Sequence, residues 1–84
     1  MKTTAYFGAV RVRPDRAVIT EEWILRALHS PVREVIQHDG RIRRWVAIPE
    51  ADGKYLRVVV LVDGETVHSA FFDRGFNHEN PILH

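Results

Sequence analysis

Apolar and polar positions change rhythm near residue 30. Before it, Trp23, Ile24, Ala27 and Leu28 recur at i, i+4 spacing, which is the period of one helix face. Thr20 stands where it can cap that helix, and Glu21 and Glu22 fall in its first turn, where carboxylates suit the positive end of the helix dipole. Ser30-Pro31 ends it. A helix of about ten residues is too short to be stable alone, so it must rest on something. The chain beyond Pro31 is β-rich. Val32–His38 and Arg41–Ile48 flank Asp39-Gly40, and Tyr55–Val62 and Glu65–Asp73 flank Asp63-Gly64. Asp-Gly between β-rich runs is a strong hairpin signal, of the kind that closes a type I′ turn.

Residues 5–13 also have β-type composition and predict a first strand, ended by Pro14-Asp15 because proline cannot donate to a ladder. The pattern therefore predicts an α+β fold: a short N-terminal helix packed on one antiparallel β-meander sheet, with an additional N-terminal strand. Residues 1–76 read as a single domain and residues 77–84 as a C-terminal tail.

A two-residue turn at Asp63-Gly64 sets a register. Val60 then faces Val67, Val58 faces Ser69, and Arg57 faces Ala70 and lies diagonal to His68. Leu56, Val58, Val60, Val62, Val67 and Phe71 share the core face. Tyr55, Arg57, Val59, Leu61, His68, Phe72 and Arg74 share the other. That second face is too apolar for plain solvent, so the tail, the N-terminal strand or a partner covers it. The register of Arg41–Ile48 against Tyr55–Val62 stays open, so either Arg43 and Trp45 or Arg44 and Val46 join Arg57.

The totals narrow the function. Eighty-four residues make one domain with a thin core. Cysteine is absent, which excludes disulfides and thiolate metal sites and suits a reducing cytoplasm. No apolar run is long enough to span a membrane, and no secretory signal opens the chain. Net charge is only +1, but ten of the twelve basic residues are arginine, the better planar fork for phosphate or carboxylate. Arg41, Arg43 and Arg44 crowd together beside Trp45. They form either a solvated strand edge or a ligand-facing patch.

Phosphate loops, dinucleotide fingerprints and nucleophile elbows are missing, and no cofactor is implied. The five histidines, His29, His38, His68, His78 and His84, have no metal-ligand spacing. His68 stands out, mid-strand beside Arg57. Trp45 and Tyr55 could stack on bases.

Two stretches carry a resemblance. They are Asp39-Gly40-Arg41-Ile42-Arg43-Arg44-Trp45 and Tyr55-Leu56-Arg57-Val58-Val59, the latter followed by Asp63 through Arg74. With the helix and Pro31, they resemble a group of small uncharacterised bacterial proteins over residues 18–76. That group is similar to outlying branches of the RelE/ParE-type toxin superfamily, including BrnT-like toxins. The resemblance implies a cytoplasmic type II toxin: a metal-independent endoribonuclease acting on free or ribosome-bound RNA and held inactive by an antitoxin protein. It carries over to Arg57, His68 and Arg74 as catalytic residues, and Arg41, Arg43, Arg44, Trp45 and Tyr55 would bind RNA. His68 would move the proton and the arginines would stabilise phosphoryl charge. The departures are a nearly neutral chain and one helix where such toxins usually bring two.

The competing function is a non-catalytic module whose arginine and aromatic sheet face binds a protein or a second copy of itself, as a homodimer. A carboxylate partner on Arg57 favours the module. An open cleft exposing both Arg57 and His68 favours the enzyme.

Overall fold

In a computed structural model that describes residues 1–76, the N-terminal segment is helical rather than extended. Helix α1 spans Ala5–Val10. Thr4 Oγ1 accepts from the Phe7 N–H at 3.1 Å and caps it. Phe7 and Val10, three residues apart on that helix, are both buried, and their burial outweighs the β-type composition. Strand-like pairing is found at Thr3 instead, ahead of the predicted strand, in an isolated parallel bridge to Val67. Val67 N–H donates to Lys2 C=O and Thr4 N–H to Val67 C=O. A short helix α2, Pro14–Ala17, comes next with proline in its first turn.

Helix α3 spans Glu21–His29 and starts as the sequence predicts. Thr20 Oγ1 accepts from Trp23 N–H at 3.1 Å. Ile24 and Ala27 face inward. The remaining chain supplies four strands: β1 Arg33–Ile36, β2 Ile42–Ile48, β3 Lys54–Val60 and β4 Val67–Phe72. They form one antiparallel meander in the order β1-β2-β3-β4. A 3₁₀ turn, Pro49–Ala51, joins β2 to β3. Among the described residues no helix is long and apolar enough to cross a membrane.

The turns fall where predicted but not in the predicted form. Gly40 has φ 91° and Gly64 φ 73°, whereas Asp39 and Asp63 keep negative φ. Type I′ geometry, which needs positive φ at both central residues, is therefore excluded. Gln37 N–H donates to Arg41 C=O, and Leu61 N–H to Thr66 C=O. The loops are thus one and two residues longer than the tight Asp-Gly pair.

The open register is settled by the pairing of Trp45 with Arg57 and Arg44 with Val58. Arg43 and Trp45 share the face of Arg57; Arg44 and Val46 take the other. Between β3 and β4, Val60 pairs with Val67 as predicted. A bulge interrupts the ladder there, and the next pair is Val59 with Ser69. His68 is the extra residue. Beyond it the predicted register moves by one: Val58 pairs with Ala70 and Arg57 with Phe71. Ala70 and Phe72 therefore turn to the core, and Phe71 turns away from it, the reverse of the sequence-based assignment. Val62 also leaves the predicted core face, standing exposed in the loop.

The helices cover one side of the sheet. Phe7, Ile19, Ile24 and Ala27 pack on Val46, Ile48, Leu56, Val58, Val60, Val67 and Ala70. No polar or charged residue among those described is buried. Fully burying one such aliphatic side chain is worth about 1.5–3 kcal/mol.

Candidate binding face

The sheet face away from α3, the outer face, carries a row of alternating arginine and aromatic residues. Strand pairing places Arg33 of β1 beside Trp45 of β2, Trp45 beside Arg57 of β3, and Arg57 beside Phe71 of β4. Arg57 Cζ lies 5.8 Å from the centre of the Trp45 ring and 5.0 Å from that of Phe71. Arg16, from α2, closes the row beyond the sheet edge, with Cζ 5.3 Å from the same Phe71 ring. Such cation–π contacts suit arginine, whose flat, weakly hydrated head lies well on a ring. The adjacent row is Val35, Arg43, Val59 and Ser69.

Electrostatically the face is one-sided. Among the strand residues on it none is acidic. Asp73, just past β4, is held from two sides: Trp45 Nε1–H donates to its Oδ2 at 3.0 Å, and Arg57 Nη1 lies 3.7 Å from the same oxygen. Burial pushes the Arg57 guanidinium below its ordinary pKa, the charge of Arg43 pushes it further, and Asp73 partly restores it. Arg33 and Arg43 take part in none of the ion pairs among the described residues. The Nε of each is shut off from solvent without a hydrogen-bond partner among those residues, as is that of Arg57. The residues as a whole stay half-exposed, so each covers part of its side chain and shows the rest.

Phe76 covers one end of the face. Its ring stacks on Trp45 at 4.9 Å and tilts against Tyr55 at 4.8 Å. Trp45 is consequently 2 % exposed. The chain just after β4 is thus one cover of this face; residues 77–84, with His78 and His84, lie outside the described residues.

The predicted RNA-binding residues divide. Arg43, Trp45 and Tyr55 share the outer face. Arg44 is on the helix side, where its Nε donates to Glu34 at 2.6 Å and its Nη1 to Leu28 C=O at 3.5 Å. Arg41 sits in the turn, 3.8 Å from the Asp39 carboxylate. The predicted catalytic set is not assembled. His68, carried by the bulge, stands 3.1 Å by Nδ1 from Thr4 Oγ1 and stacks on Tyr6 at 4.8 Å. Alternation back from Ala70 puts it on the helix side, away from Arg57. The expectation that Arg57 and His68 share a face is thus corrected, and the cause is the bulge. Arg74 is exposed just past β4, beside the Lys54 end of β3.

The sequence alone singles out neither Arg33 nor Arg16 for this face, and it puts Phe71 on the core face. Alternation within Val32–His38 would have put Arg33 with Val35 on one face, but nothing in the sequence brings α2 to Phe71. No group of three histidine or acidic side chains among the described residues could hold a metal ion. Compared with known protein families, with curated proteins and with solved structures, the chain matches none.

Proposed function

We propose that the chain is a non-catalytic module that binds single-stranded RNA on the outer face of its sheet. The observation that carries it is the pair of guanidiniums, Arg33 and Arg43, lying on a sheet face whose strands carry no acidic residue and forming no ion pair with a carboxylate among the described residues. Like charges crowded without counter-charge cost stability unless an anion offsets them. A sheet puts Arg33 and Arg57 about 9–10 Å apart at Cα, two strands away. Arg43 is diagonal to both, roughly 7–8 Å from each. Arg33 and Arg43, the two without a carboxylate partner among the described residues, can follow successive phosphates, with Arg57 partly neutralised by Asp73 beside them.

Single strands suit this face better than duplexes. A flat sheet cannot enter the deep, narrow groove of an A-form helix, whereas unstacked bases can lie on it. Tyr55 and Phe71 are half-exposed on the face and offer rings for them. RNA is also the substrate class that the toxin resemblance implies. The non-catalytic part rests on Arg57, which already serves Asp73, and on His68, which serves Thr4 and Tyr6. His38 and Asp39 line a cleft with Arg43 at the β1–β2 turn, but the Asp39 carboxylate already accepts from the Arg41 N–H and lies 3.8 Å from the Arg41 guanidinium.

The test is binding of a labelled single-stranded RNA across a salt series. The parent should bind at low salt and weaken linearly in log–log form. Arg33→Ala with Arg43→Ala should lower that slope by about 1.4, near 0.7 per lost phosphate contact. An absence of binding at low salt, or an unchanged slope in the double variant, rejects RNA and leaves the face to a protein or a second copy.

A further inference from the structure

Beyond the outer edge of β4 lies a cleft that shares only Phe71 with the RNA-binding proposal. It has a volume of about 420 Å³ and is lined by Arg16, Val18, Lys54, Phe71, Phe72 and Arg74, with Asp15. That volume falls within the usual range for small-molecule sites, about 300–1,000 Å³. Its walls come from three places: α2 and the residue after it, the first residue of β3, and the end of β4.

Among the described residues, three cations converge there against one acid. Asp15 lies 3.6 Å from Arg16 Nε with its own side chain 72 % exposed, so it orients Arg16 from the rim. Arg16 Nη1 is shut off from solvent and has no hydrogen-bond partner among those residues. Lys54 Nζ stands 5.8 Å from the centre of the Phe72 ring and, like Arg74, forms no ion pair among the described residues. The backbone adds a donor. Asp73 N–H bonds Tyr55 C=O, so ladder alternation turns the Phe72 N–H outward, toward the cleft.

We propose that this cleft binds a phosphate monoester. Its dianion would accept from the Arg16 guanidinium, whose side chain keeps 20 % exposure at the cleft, and from the Phe72 N–H, with Lys54 and Arg74 supplying charge at the mouth. Carboxylates carry half that charge and fewer acceptor oxygens, and would leave part of this donor set unused. Phe71 stands between this site and the outer-face arginines, meeting Arg57 and Arg16, so the two sites are neighbours and not one.

The experiment is a nitrogen–proton NMR titration of the whole chain with inorganic phosphate at ionic strength held constant with chloride. The Phe72 amide and the Arg16 Nε–Hε signals should shift and saturate. Lys54→Gln with Arg74→Gln, two changes at exposed side chains, should weaken that saturation roughly ten-fold or more. A 5′-phosphorylated dinucleotide binding more tightly than its 5′-hydroxyl counterpart assigns the cleft to a strand end. Equal binding of the two, with phosphate still saturating, assigns it to a small free phosphate ester. A shift that chloride alone reproduces, one that never saturates, or a double variant that titrates like the parent overturns the proposal. None of these outcomes depends on whether Arg33 and Arg43 bind RNA.

Discussion

The Arg57 guanidinium lies 3.7 Å from the Asp73 carboxylate, and the same oxygen accepts from Trp45 Nε1–H at 3.0 Å. One carboxylate thus ties β2 to β3 and to the chain leaving β4, and neutralises one arginine of the row. Asp73→Asn should lower stability by about 1–3 kcal/mol, the size of a lost hydrogen bond to a charged group. It should also steepen the salt dependence of RNA binding, since the face loses a negative charge. A variant that melts with the parent and keeps the parental slope contradicts both roles.

The core should respond to truncation. Leu56 is fully buried among α3 and its sheet neighbours. Leu56→Ala should cost roughly 2–5 kcal/mol, read as a lower denaturant midpoint with an unchanged slope. Overlapping unfolding curves would place Leu56 outside the core.

Two turn glycines should respond unequally. Both hold positive φ, but a Cβ on Gly40 would meet Val62 Cγ1 at 2.5 Å, while one on Gly64 meets nothing within 4 Å. Gly64→Ala should cost about 1 kcal/mol, for backbone strain alone. Gly40→Ala should cost about 1–3 kcal/mol more, because the two hairpin tips must move apart. Equal melting temperatures for the two variants would show that the tips do not touch.

His68 separates the binding module from an enzyme. His68→Ala removes the stack on Tyr6 and the contact with Thr4. Faster amide exchange should result at Tyr6 and Phe7, with RNA affinity unchanged within about two-fold. If purified parent cleaves RNA and His68→Ala does not, the non-catalytic proposal falls.

Acid should weaken the fold over a defined window. The Thr66 hydroxyl, then the N–H groups of Thr66 and Glu65, draw the Asp63 carboxyl from 3.8 down to about 2. Arg26, first by hydrogen bonds, draws Glu50 from 4.5 down to about 2. A carboxyl whose folded pKa is depressed stabilises above its unfolded pKa and loses that contribution as pH falls toward the folded value. Stability should therefore decline between about pH 4.5 and pH 2. Asp63→Ala with Glu50→Gln should start lower and decline less steeply. Denaturant midpoints measured across that range decide the matter, and a flat parental profile refutes it.

Much of this architecture was legible in the chain because it depends on local chemistry. Thr20, Glu21 and Glu22 before an i, i+4 stripe need only one turn of helix to act. Asp39-Gly40 and Asp63-Gly64 mark reversals whatever the turn type, since the glycine supplies positive φ in either form. The illegible part depends on distant contacts. Phe7 and Val10 become helical because their side chains find Ile19, Ile24 and Ala70. The bulge at His68 accompanies the docking of Lys2, Thr3 and Thr4 on Val67, about sixty residues away. That single extra residue decided which neighbours Arg57 has. It gave the arginine Phe71 in place of Ala70 and withdrew His68, so the candidate site changed from an acid–base pair to a cation–aromatic row.

The bridge between Thr3 and Val67 also has a kinetic consequence. Helix α3 and the meander close through short loops, so they can form early at small entropic cost. The N-terminal segment can dock only after β4 is in place, because Val67 provides both its backbone partners. It joins by closing the longest loop in the fold, and α1 brings Phe7 into the core only at that step. The last element to arrive is the first to leave. Transient undocking of residues 1–10 would expose the edge of β4 at Val67 while the four strands stay paired, and would open to a foreign strand an edge that is otherwise covered there.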